Sequence, residues 1–225
     1  MRTIVIGDIH GCYEELKQLI VDLKDNREYN KDTDRLIFLG DYIDRGKDSR
    51  KVIEYIKELQ EENNNVIALM GNHEKMCIDF MARSYDGWLY NGYIPTIDSY
   101  GSYKELEKDI GWMRSLPLYY EDENFIYVHA GINPNKPLEQ NSEFELLWQR
   151  EDFIYNRTKI NKTVIFGHTP SQLMTDSDKP YKTSAGHIGI DTGCVFGGYL
   201  TALIIKDGDV AKFYQQNIEE VNEEN

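Results

Sequence analysis

Short apolar runs alternate with amphipathic stretches through the first third of the chain. Ile4-Val5-Ile6 reads as a buried strand, and Tyr13, Leu16, Leu19, Ile20 and Leu23 follow at helical spacing. Leu36 to Leu39 predicts a second strand, and Val52, Ile53, Ile56 and Leu59 a second helix. Val66 to Met70 predicts a third strand, and Glu74 to Met81 opens a third helix. A βαβαβ start of this kind implies a parallel sheet with right-handed crossovers.

The pattern then changes. From Ser84 to Tyr120 aromatic residues and glycines intermingle (Tyr85, Trp88, Tyr90, Tyr93, Tyr100, Tyr103, Trp112), which predicts short helices and loops. Strands follow at Phe125–Val128, Val164–Phe166, His187–Ile190, Leu200–Ile205 and Val210–Tyr214, with a polar loop over Thr175–Ser184. The second half is therefore expected to be β-rich. Residues 1–215 are expected to form one domain, and 216–225, with Glu219, Glu220, Glu223 and Glu224, an acidic tail.

Composition narrows the partners. Lys+Arg 25 against Asp+Glu 39 leaves a formal charge of −14. A surface that acidic disfavours nonspecific binding to nucleic acid or to anionic membranes. No apolar stretch approaches the ~20 residues of a membrane span or the core of a secretory signal. Cys12, Cys77 and Cys194 show no zinc spacing and read as reduced, buried thiols. The expected location is the cytoplasm; the oligomeric state stays open.

The chemistry lies where the strands end. These ends read Gly7-Asp8-Ile9-His10-Gly11, Gly40-Asp41-Tyr42-Ile43-Asp44-Arg45-Gly46, Gly71-Asn72-His73-Glu74, His129-Ala130-Gly131 and Gly167-His168-Thr169-Pro170. Ligands of α/β sheets bind outside the carboxyl ends of strands. One Gly-Asp after a strand is an ordinary turn or helix cap, but five ends each offering Asp, Asn or His form a constellation. Four of the five histidines lie in these turns. Mixed Asp, His and Asn ligation suits Mn²⁺, Fe²⁺ or Zn²⁺, and the ligands outnumber what one open ion needs, which points to two divalent ions.

This motif string, from residue 7 to residue 193, resembles that of the phosphoprotein phosphatase family of dinuclear metallophosphatases, most strongly its small bacterial and phage members. Trp148-Gln149-Arg150-Glu151 and Asp191-Thr192-Gly193 also resemble segments of that subgroup. The resemblance implies an α/β fold of the calcineurin-like metallophosphoesterase type, a central β-sandwich of mixed sheets flanked by helices. It implies that Asp8 and His10 bind a first metal, that Asp41 bridges, and that Asn72, His129 and His168 complete a second. It further implies Arg45, Arg150 and Asn72 on the phosphate, and His73, oriented by Asp44, as the general acid. The implied cofactor is a pair of divalent ions, Mn²⁺ first, with Fe or Zn as alternatives.

The implied activity is metal-dependent hydrolysis of phosphomonoesters by an activated water, on a phosphorylated protein as a Ser/Thr or dual-specificity phosphatase. The alternative is a small phosphoester, above all symmetrical hydrolysis of diadenosine tetraphosphate. Glu74 leans toward the protein phosphatase branch, since the dinucleotide hydrolases tend to carry Asp there. The aromatic 85–112 segment reads as a satellite core or as a rim over the substrate groove. Of the two late histidines, His168 follows its strand while His187 precedes one, so His168 is the expected ligand. That inference needs the His187 strand to run parallel to the others.

Overall fold

The computed structural model describes residues 1–156 and 160–217. The expected acidic tail, 216–225, lies outside the described residues from 218 onward. In the first sheet β1 (Arg2–Ile6), β2 (Arg35–Phe38) and β3 (Val66–Ala68) pair in parallel as the βαβαβ pattern predicts, with β3 at one edge. The crossovers are α1 (Tyr13–Asp25) and α2 (Ser49–Glu62), and α3 (Asn72–Met81) follows β3. Leu16, Leu19, Ile20 and Leu23 of α1 and Val52, Ile53, Ile56 and Leu59 of α2 are buried, so the apolar stripes read from the sequence are the faces laid on the sheet.

The aromatic stretch folds into the short helices α4 (Ile94–Tyr100) and α5 (Tyr103–Ser115). A second sheet follows, built from β4 (Tyr119–Glu121), β5 (Phe125–Val128), β6 (Thr163–Phe166), β7 (Tyr181–Lys182) and β8 (Ile188–Gly189) in the order β4-β5-β6-β8-β7. Its three central strands are parallel and its edge strands antiparallel. The small helices α6 (Glu143–Trp148), α7 (Glu151–Ile154) and α8 (Ser171–Met174) lie in its connections. The chain then returns to the first sheet with β9 (Leu200–Lys206), antiparallel to β1, and β10 (Asp209–Gln216) at the edge.

Two-residue periodicity assigns the faces. Val5 and Ile37 point inward with Leu39, Leu69, Phe125, Tyr127, Ile165, Ile188 and Leu203, forming the layer between the sheets. Ile4, Ile6, Leu36 and Phe38 point the other way, into the core under α1 and α2. Ile126, Val128, Val164 and Phe166 face Leu146 and Phe153 on the outer side of the second sheet. The architecture is a β-sandwich of two mixed sheets flanked by helices. The central strands are buried on both faces, which is why they read as continuous apolar runs.

β4 and β7 depart from the sequence reading. Each is two or three residues long and has no periodicity of its own; β7 forms inside the expected polar loop because Tyr181 and Lys182 pair with Gly189 and Ile188. Among the described residues, no helix is long and apolar enough to cross a membrane.

Candidate metal centre

The turns after β1, β2, β3, β5 and β6 converge at one edge of the sandwich. His10, Asp41, Asp44, Arg45 and His168 all hold positive φ, between 47° and 73°. Non-glycine residues pay for that geometry, and such strain clusters at functional sites. Two glycines are required by close approach. A Cβ on Gly71 would lie 2.2 Å from the Asp41 backbone nitrogen, and one on Gly167 2.0 Å from Asp8 Oδ1.

Two triads of potential ligands share Asp41. His10, Asp41 and His73 bring their ligand atoms within 4.8 Å of one another, and so do Asp41, His129 and His168. Asp41 faces both ways: Oδ2 is 3.3 Å from His10 Nε2, and Oδ1 is 3.4 Å from His129 Nε2. Asn72 Oδ1 lies 2.8 Å from His129 Nε2 and 2.9 Å from His168 Nδ1. Asp8, expected beside His10, is buried with both carboxylate oxygens on the His168 backbone N–H, at 3.2 and 2.9 Å.

The hydrogen bonds fix which ring nitrogens face inward. His10 Nδ1 is 2.8 Å from the Ile43 carbonyl and His129 Nδ1 is 3.0 Å from that of Leu39, so each Nδ1 carries the proton and each Nε2 points a lone pair at the cluster. His168 Nε2 is buried with no hydrogen-bond partner among the described residues. Burial lowers the His129 imidazole to about 4, against the opposing pull of Asp41. Burial, then the charges of His129 and Arg150, hold His168 well below its usual value. Burial followed by the Asp191 and Asp41 carboxylates pushes Asp8 well up. Burial alone would raise Asp41, but His129, His73 and His10 outweigh it and hold that carboxyl well below the usual range. Imidazole nitrogens and crowded carboxylates turned lone pair to lone pair are a donor set that fits divalent cations.

His73 stands beside this set. Its Nδ1 is 2.6 Å from Asp44 Oδ2 and its Nε2 is 3.9 Å from Asp41 Oδ2. Burial lowers its imidazole, opposed by Asp41 and Asp44. Asp44 is fully buried and holds two further donors: the Trp88 indole N–H at 2.8 Å on Oδ2 and the Thr96 hydroxyl at 2.7 Å on Oδ1. The aromatic segment therefore gives both a satellite core and a clamp on the His73 partner. Sequence reading missed Trp88 and Thr96 in that role, because they meet Asp44 across 44 and 52 residues. Nor does the sequence give Asp191 a role; this carboxylate is buried near Asp8 and accepts the Gly193 N–H at 3.0 Å.

Arg45 sits at the His10 end, its guanidinium on His10 Nε2 and 5.3 Å from the Phe196 ring centroid. Arg150 is exposed at the opposite end, 3.3 Å from the Thr169 hydroxyl next to His168. His187 lies away from the cluster. β8 is parallel to β6, so its amino end is remote from the site; there His187 Nδ1 accepts the Val164 N–H at 3.1 Å and the ring stacks on Phe153.

Residues 1–210 match the calcineurin-like phosphoesterase family. The chain belongs to that family. Divalent-metal phosphoesterase chemistry is the family's, and the donors gathered around Asp41 are where this phosphoesterase could hold the ions, with His73 of the first triad turned onto Asp44 instead.

The curated relatives include a symmetrical bis(5'-nucleosyl)-tetraphosphatase of Photorhabdus laumondii, 38% identical over 141 residues, which are 62% of this chain and 47% of that protein. The phosphoesterase thus matches about half the length of such relatives. Among solved structures, one described as a candidate diadenosine tetraphosphatase superposes with TM-score 0.66 at 20% identity, covering 96% of this chain and 93% of the other. A cold-active protein tyrosine phosphatase of a psychrophilic Shewanella gives TM-score 0.68 at 16% identity, covering 96% and 80%. At such identities the superpositions show the fold alone.

The curated relatives overturn the expected protein Ser/Thr phosphatase. That expectation leans on Glu74, whose position in the structure explains why it does not report the substrate. Its carboxylate is fully buried and accepts four backbone N–H groups, from Asp41 (2.9 Å), Tyr42 (2.8 Å), Ile43 (3.3 Å) and Gly71 (3.0 Å). Glu74 braces the Asp41 turn from behind and does not reach substrate space.

Proposed function

We propose that the chain hydrolyses dinucleoside polyphosphates symmetrically, splitting a dinucleoside tetraphosphate and water into two nucleoside diphosphates, with two divalent ions, Mn²⁺ first, held by Asp8, His10, Asp41, Asn72, His129 and His168. The observation that carries the reading is the match, at 38% identity, to a relative named for this reaction. The donor set described above supports it.

The bound ions would supply positive charge to the phosphate oxygens and an activated water. The chain's own residues do the rest. Arg45 and Arg150 stand at opposite ends of the cluster, and their planar forks grip non-bridging phosphate oxygens from both sides. His73, its Nδ1–H held on Asp44, takes up a proton at Nε2 as an imidazolium, the form that Asp41 and Asp44 favour, and gives it to the departing diphosphate. Trp88 and Thr96 pin Asp44 in turn. The phosphoryl group passes directly to water.

One assay panel tests this. Metal-supplemented protein is given diadenosine tetraphosphate, a phosphoserine peptide and p-nitrophenyl phosphate side by side. The expected kcat/KM for the dinucleotide exceeds that for the peptide by at least about tenfold, a preference of about 1.4 kcal/mol. Turnover of the peptide with none of the dinucleotide overturns the proposal.

A further inference from the structure

The metal centre has two ends, and a cleft lies beside each. At the His10 end, beside Arg45, a cavity of about 310 Å³ is lined by Cys12, Tyr13, Lys47 and Val195, with Glu14 and Glu15 in its wall. At the His168 end a cleft of about 300 Å³ is lined by Lys75, Met76, Tyr85, Phe144 and Trp148. Trp148 joins that cleft to the centre: its ring meets His168 edge-on at 6.1 Å and lies nearly parallel to Phe144 at 6.5 Å. Phe144 is 68% exposed and Tyr85 55%, large apolar surfaces left to solvent beside a charged site. Both volumes fall at the small end of the range of small-molecule sites.

We propose that the two clefts are the two nucleoside subsites of one substrate stretched across the metal centre, an inference that rests on the dinucleoside polyphosphate reading. A substrate cleaved at its centre into identical halves needs a nucleoside seat on each side, and the structure has one of matching size at each end. The polyphosphate runs between Arg45 and Arg150. One base stacks on Phe144 beside Trp148, an interaction that any purine or pyrimidine face satisfies. The other enters the cavity against Tyr13 and Val195. There Lys47 meets the phosphate next to the ribose, and Glu14 or Glu15 accepts from the ribose hydroxyls.

Three variants outside the catalytic set test this. Phe144→Ala strips the stacking face, Val195→Trp fills the opposite cavity, and Lys47→Ala, at an exposed position, reads the same cavity without added bulk. Each is assayed on diadenosine tetraphosphate and on p-nitrophenyl phosphate, which has no nucleoside. Phe144→Ala and Val195→Trp are expected to raise KM for the dinucleotide by about tenfold, the scale of one lost base stack, and Lys47→Ala to raise it severalfold. All three should leave kcat/KM for p-nitrophenyl phosphate unchanged. If Phe144→Ala or Lys47→Ala leaves the dinucleotide KM within about twofold of wild type, or lowers both activities equally, the two-sided assignment is wrong. If Val195→Trp loses both activities, Lys47→Ala decides its cleft. A wild-type protein that does not cleave the dinucleotide at all removes the proposed function itself, whereas unaffected variants of an active wild type remove only the subsites.

Discussion

Asn72 and His129 face each other acceptor to acceptor. His129 gives its Nδ1 proton to the Leu39 carbonyl, so the Nε2 that lies 2.8 Å from Asn72 Oδ1 offers a lone pair to a lone pair. Asp41 Oδ1 adds a third acceptor 3.4 Å from the same nitrogen. Buried acceptors turned on one another are costly unless a cation lies among them. The expected outcome is about two divalent ions per chain in metal-loaded protein and loss of activity on chelation. Asp41→Asn should be the most damaging single ligand change, since Asp41 belongs to both triads. Normal turnover after exhaustive metal removal, or two ions and a normal rate in Asp41→Asn, contradicts this.

His73 is bonded to Asp44 and otherwise faces the Asp41 side of the site. His73→Asn is expected to lower kcat by roughly 10²–10⁴-fold on alkyl phosphate esters while both ions still bind. The loss should be smaller on diadenosine tetraphosphate, because a nucleoside diphosphate leaves as a stable anion and needs its proton less. Equal losses on the two substrates would remove the acid role. Steady-state rates with metal content measured on the same preparation decide it.

Glu74 is expected to act on the shape of the site rather than on substrate choice. Glu74→Gln turns an amide N–H₂ toward two of the four backbone N–H groups that the carboxylate now satisfies. Buried donors left unmatched cost about 1–3 kcal/mol each, which for a chain of this size is a Tm lower by roughly 5 °C or more. The ratio of dinucleotide to p-nitrophenyl phosphate activity should stay unchanged. A shifted ratio at unchanged Tm would show that Glu74 reads the substrate after all.

The two late histidines separate by position in the second sheet. His168→Ala is expected to lose one ion and most activity. His187→Ala should keep both ions but fold less stably, because it removes the ring on Phe153 and leaves the Val164 N–H unpaired. Metal analysis with thermal melts of the two variants checks this; loss of an ion in His187→Ala alone would reverse the assignment.

The parts legible in the sequence were those whose signal is local. Val5 and Ile37 sit in unbroken apolar runs, and Leu16, Leu19 and Leu23 recur at the helical period, so the first sheet and its helices could be read directly. The turn residues Asp8, Asp41, Asn72, His129 and His168 stood out because each follows a strand end. The clamp of Trp88 and Thr96 on Asp44 was not legible, since nothing near Asp44 announces partners so far along the chain. β7 was hidden because its two residues become a strand only through pairing with β8. The substrate was misread for a related reason: Glu74 looks like part of the reactive string, but its side chain turns back into the Asp41 turn.

Symmetrical cleavage at a metal-dependent site is read from the products of diadenosine tetraphosphate. Chromatography of the reaction with added Mn²⁺ should show ADP as the sole nucleotide product, with none formed in the presence of a chelator. ATP and AMP in equal amounts, or an intact dinucleotide beside a dephosphorylated phosphopeptide, would contradict the account.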